Sequence, residues 1–115
     1  MTESEAFDYL YERAARHDIT VDELLEFTPP SVADDYTEAA EFWEQRDISH
    51  IHPQSTHPHL ADDPSNMMPE DPSDNRSRGA EVMTKAEIEA AELDNEVLAE
   101  SIDGDGLYDF IPFFA

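Results

Sequence analysis

Three polar residues in the middle of the chain have the types and spacing to do chemistry. His50 lies in the run Ser49-His50-Ile51-His52-Pro53, Asn66 follows sixteen residues later, and Asn75 nine beyond that, opening Asn75-Arg76-Ser77-Arg78-Gly79. An imidazole titrates near neutrality and suits general-base work, while two arginines close to such a group suit an anionic oxygen. The chain has no cysteine, so any cation must be held by His, Asn, Asp or Glu. A second arrangement overlaps the first: His50, His52, His57 and His59 could form an imidazole-rich zinc site, although loop histidines are more commonly surface residues.

Positioning such groups requires a fold, and 115 residues with 39% hydrophobic content suffice for one small core and one domain. We expect residues 1–46 to form a helical part, 47–79 to carry the polar segment, 80–106 to form a long helix and turn, and 107–115 to be an aromatic docking tail. Thr2 can cap a helix over 3–16 whose Phe7, Leu10, Tyr11 and Ala14 follow helical spacing. Thr20-Val21-Asp22-Glu23 reads as a capping box for a short helix carrying Leu24, Leu25 and Phe27, which Pro29-Pro30 stops. Val32, Tyr36, Ala39, Ala40 and Trp43 then predict a single helix over roughly 32–45. Five prolines between Pro53 and Pro72 predict an ordered loop or hairpin. Thr84-Lys85-Ala86-Glu87 is another capping box, opening a helix to about Ile102. The fold class expected is α+β, mostly α, with helices flanking a small hairpin.

The formal net charge is −23, and acid is spread along the chain: −11 over residues 1–48, −3 over 49–79 and −9 over 80–115. Such a surface repels nucleic acid unless salt screens it. At molar salt the screening length falls to about 3 Å, so the composition fits a high-salt cytoplasm and resembles the proteomes of salt-in archaea and their viruses. A DNA mimic occupying a basic groove is the rival reading of the charge. The N-terminus lacks the character of a signal peptide, and no apolar run approaches a membrane span. A cytoplasmic or virion location without membrane contact is therefore expected. Asp103-Gly104-Asp105-Gly106 has a calcium-loop look, but Phe114 stands where the bidentate Glu belongs, so it reads as a helix-ending turn.

The polar segment resembles the metal-binding hairpin and helix of HNH (ββα-metal) endonucleases. His50-Ile51-His52-Pro53-Gln54-Ser55 is similar to the "HIxPxS" around the family's base, and Asn75-Arg76-Ser77-Arg78-Gly79 to its helix-start "NRxKG". The resemblance covers about 31 residues and implies metal-dependent phosphodiester hydrolysis of nucleic acid. His50 would activate water, and Asn66, on the second strand, would brace the loop and orient His50. Asn75 would ligate a divalent metal such as Mg, and Arg76 or Arg78 would approach phosphate. Ser49 stands at the position where the family usually has Asp or another ligand, and its neutral hydroxyl is a poor one for a hard cation. Asp47, Asp74, Asp62 or Asp63 could substitute. The alternative is a non-catalytic assembly protein, such as a virion component in a haloarchaeal viral capsid or tail, docking on protein partners through Tyr108, Phe110, Phe113 and Phe114.

Overall fold

Three Thr/Glu pairs start helices in the way their spacing dictates. In the computed structural model, which describes residues 1–103, the Oγ1 of Thr2 accepts from the amide of Glu5 while the Glu5 carboxylate accepts from the amide of Thr2. This capping box opens α1 (Glu3–Ala15); Thr20 with Glu23 opens α2 (Val21–Glu26), and Thr84 with Glu87 opens the long α6 (Lys85–Asp103). Between α2 and α6 the order is α3 (Pro30–Ala33), α4 (Tyr36–Trp43), β1 (Asp47–His50), two 3-10 turns (Pro58–Leu60 and Pro64–Asn66), β2 (Met67–Glu70) and α5 (Pro72–Arg78). The fold is α+β and mostly helical, with one antiparallel pair of strands.

The single helix expected over 32–45 is two helices. Asp35 causes the break: its Oδ1 accepts from the amides of Thr37 and Glu38 at 2.9 and 3.2 Å. That competes with a continuous backbone ladder and caps a new helix. The other shift concerns α5, expected to begin at Asn75. It begins at Pro72, because Asp71 caps it through the amides of Ser73 and Asp74 and proline suits the first helical position. Asn75 therefore lies one turn inside α5.

The main core packs α1, α2, α3, α4 and the end of α6. Leu10, Leu24, Val32, Ala39, Ala40, Phe42, Trp43 and Ala99 are completely buried, with Ile48 of β1 and Met67 of β2 joining them. Trp43 sits edge-on to both Phe27 and Phe42. Its indole Nε1 donates to Thr28 Oγ1 at 2.9 Å, and that hydroxyl donates to the carbonyl of Leu24 at 2.7 Å. Thr28→Val keeps the shape and strands the indole donor, so it should cost about 1–3 kcal/mol, read as a lower thermal midpoint; an unchanged midpoint would show that the indole finds another partner.

Two arginines hold the hairpin to the helices. Arg13 of α1 donates to the carbonyls of Trp43 and Arg46, both at 2.8 Å, closing the end of α4 and fixing where β1 starts. Arg46, itself buried, pairs with Asp94 of α6 at 2.9 Å and reaches Asp71 ahead of α5 at 3.6 Å. In the hairpin Asp47 faces Glu70, Ile48 faces Pro69, Ser49 faces Met68 and His50 faces Met67. Ile48 and Met67 turn into the main core, whereas Met68 joins Met83 and Ala91 in a smaller cluster against α6. Among the described residues no helix is long and apolar enough to cross a membrane.

Candidate functional site

His50 ends β1, where the strand gives way to the proline-rich loop. Its Nε2 lies 2.9 Å from the carbonyl oxygen of Ala61. A carbonyl can only accept, so in this contact Nε2 carries the proton and Nδ1 is left with the basic lone pair. A ring whose far nitrogen is held by a backbone carbonyl has a fixed tautomer and orientation, the usual preparation of a histidine for base or ligand work. The His17 ring, from the turn after α1, lies 5.7 Å away between centroids. Burial, then the nearness of His50, Arg13 and Arg16, holds the His17 pKa below its ordinary value. The chain reverses there at Asp18, in a left-handed conformation with φ 57°. Its position beside His50 depends on a tertiary contact, and nothing in the local sequence singled out His17.

Asn66 is buried at the end of the second 3-10 turn, immediately before β2 and not on it as the family pattern implied. Its Oδ1 accepts from the amide of His52 at 2.9 Å, and its Nδ2 lies 3.0 and 3.3 Å from the carbonyls of His52 and Leu60. The side chain thus ties the outgoing end of the loop to its return, next to the Ala61 carbonyl that holds His50. Asn66→Ala leaves those groups inside without partners and should destabilise the protein by about 3 kcal/mol. It should also raise amide exchange across residues 52–66; protection equal to the parent would show that the loop is held by other contacts.

Asn75 comes from α5. Its Nδ2 donates to Asp47 Oδ2 at 3.1 Å, leaving the amide oxygen available. With Ile48, His50, Pro53, Gln54 and Gly79 it lines an open cleft of about 270 Å³. The fold therefore brings His50 and Asn75 to one cleft and places an acid against Asn75. Of the four acids that could replace Ser49, Asp47 is the one bonded to Asn75. Asp63 is occupied in capping its own turn through Ser65, and Asp74 faces a separate acidic cleft between α5 and α6. A carboxylate and an amide oxygen are hard donors of the kind Mg²⁺ prefers, and that ion normally keeps several waters. The two donors have the right chemistry, but Asp47 is not among the residues lining the cleft, and among the described residues no group of three His, Asp or Glu side chains is arranged to hold a metal.

Two expected site residues point elsewhere. Ser49 is turned to the opposite side of the strand from His50 and is buried. Its hydroxyl accepts from Arg78 Nη2 at 2.8 Å and contacts Met83 Sδ at 3.8 Å, so it does not stand at a metal position. Arg78 is likewise not offered to phosphate: its side chain is 5% exposed and grips both carboxylate oxygens of Glu70, also 5% exposed. The hydrogen bond to Glu70 raises the Arg78 pKa further. Arg76 is exposed, with Nε donating to the Pro72 carbonyl at 3.1 Å, and remains accessible to an anion. The imidazoles of His52, His57 and His59 follow one another at centroid distances of 4.8 and 6.0 Å, short of a three-ligand zinc site. Tyr108, Phe110, Phe113 and Phe114 lie outside the described residues, as does most of the turn over 103–106. Compared with protein-family models, curated proteins and solved structures, the chain matches none.

Proposed function

We propose that the protein is a small, metal-dependent nuclease of the HNH type adapted to high salt, with His50 as general base and Asp47 and Asn75 as protein donors to the divalent cation. The observation that carries this reading is the shared cleft: His50 and Asn75 line it together, with the Nε2 contact leaving Nδ1 as the basic nitrogen. His50 takes the proton from the attacking water, Asn66 holds the loop that orients it, and the exposed Arg76, next to Asn75 on α5, is the cation offered to phosphate. A bound divalent cation would supply charge stabilisation on the phosphate and the leaving oxygen. Few cations serve the substrate because screening at molar salt weakens their pull, so the affinity rests on the metal and close contacts. The test is nicking of supercoiled plasmid at high KCl with Mg²⁺ or Mn²⁺, against EDTA and His50→Ala controls.

A second reading is favoured by one specific contact. Arg78, at the position of a basic residue in the family's helix, is consumed by Glu70 and Ser49, which is what a scaffold kept for shape would do with it. On that reading the protein is a non-catalytic assembly component, in a virion of a high-salt host, and metal-dependent nicking is absent from the pure protein.

A further inference from the structure

A largely apolar groove lies between the α2–α3 connection, β2 and α6. Phe27, Ile51, Met68, Pro69 and Ile88 contribute its apolar surface, and its volume is about 490 Å³, within the range of ligand-sized pockets. Asn95 of α6 also lines it and is 4% exposed. Its Nδ2 donates to the Pro69 carbonyl at 2.7 Å, while its Oδ1 is buried with no hydrogen-bond partner among the described residues. A buried acceptor without a donor is costly. The groove is therefore largely apolar, with the Asn95 side chain in its wall. Glu26, Glu92 and Glu96 stand at its rim.

We propose that the groove is the seat of this chain's own C-terminal segment, Leu107–Ala115. Twelve residues follow Asp103, the last residue of α6, and those from Leu107 onward are Leu-Tyr-Asp-Phe-Ile-Pro-Phe-Phe-Ala. Asn95 is eight residues back along α6, about 12 Å at helical rise, and Ile88 fifteen back, about 23 Å. Twelve extended residues reach about 40 Å, and Gly104-Asp105-Gly106 gives the chain the freedom to reverse. Tethering raises the effective concentration to the millimolar range, so a modest apolar contact suffices. Asp105 and Asp109 meet an acidic rim, so docking strengthens with salt, opposite to what a basic partner peptide would do.

The full chain has no cysteine, so Ala115→Cys accepts a single nitroxide label. With methionine methyls and side-chain amides observed by NMR in 3 M KCl, the Met68 and Asn95 signals should be lost and should return when the label is reduced. They should stay visible when isotope-labelled, untagged chains are mixed with tagged, unlabelled ones. Phe110→Ser with Phe113→Ser in the tagged chain should restore them, and lowering the salt within the folded range should weaken the loss. Signals lost in the mixed sample would put a second copy in the groove and overturn the proposal. So would loss that persists in the double serine variant, broadening confined to another surface, or docking that weakens as salt rises.

Discussion

Replacing His50 by alanine should lower metal-dependent nicking by about 10²- to 10⁴-fold, the usual contribution of a positioned general base, while leaving the thermal midpoint close to that of the parent. The expectation of a stable variant follows from its environment: the ring is only partly buried at the strand end and its one short hydrogen bond is to a loop carbonyl. Nδ1 makes the role specific. His50→Gln can still donate to Ala61 and hold the loop, but it has no titrating lone pair, so it should be as inactive as alanine. A glutamine variant that nicks at the parental rate would reduce His50 to a loop strut. Parent and alanine variants that are equally inert with every divalent ion would leave the assembly reading standing.

The largest effect on stability should come from Arg78. Both partners of the Arg78–Glu70 pair are almost wholly withdrawn from water, and Arg78 also reaches Ser49. Arg78→Met leaves the Glu70 carboxylate buried without its counter-charge, which costs about 3–5 kcal/mol in comparable pairs. Adding Glu70→Leu removes the stranded charge, and the double variant should recover most of that loss. Chemical denaturation in urea at constant high KCl reads both. A single variant less than about 1 kcal/mol below the parent would contradict the burial of the pair. If Arg78 contacted substrate, the stable double variant would instead show a raised KM for DNA; unchanged KM and kcat are expected of an internal strut.

Local signals in the sequence were good guides wherever one side chain acts on backbone within a turn. The boxes at Thr20 and Thr84 appear as read, and Thr2 caps α1 as expected, with Glu5 completing the box. The apolar stripe from Val32 to Trp43 runs straight across Asp35; the stripe records which face is buried, whereas the break depends on an acceptor competing for two amides. Asp71 before Pro72 carried the same sort of signal and moved the start of α5 forward. In the fold His50 and Asn75 line one cleft, and Asn66 ties His52 to Leu60 across the loop. The orientations of Ser49 and Arg78 were not legible. They follow from strand alternation meeting Glu70 on the neighbouring strand and Met83 ahead of α6, partners that no window around either residue contains. His17 is the same case on the other side of the site: an ordinary helix-end histidine until tertiary packing sets it against His50.

The bonds of Asn66 also define what kind of insert the proline-rich segment is. Because the side chain joins His52 to Leu60 and sits directly before β2, the hairpin is clamped below most of the loop. The exposed residues 54–56 lie beyond the clamp and take no part in holding the strands in register. Length and composition can change there at little thermodynamic cost, since closure entropy grows only slowly with loop length. Gln54 and Ser55 of the tip also line the cleft beside His50, so a change there redraws the rim of the cleft while the clamped strands keep their register.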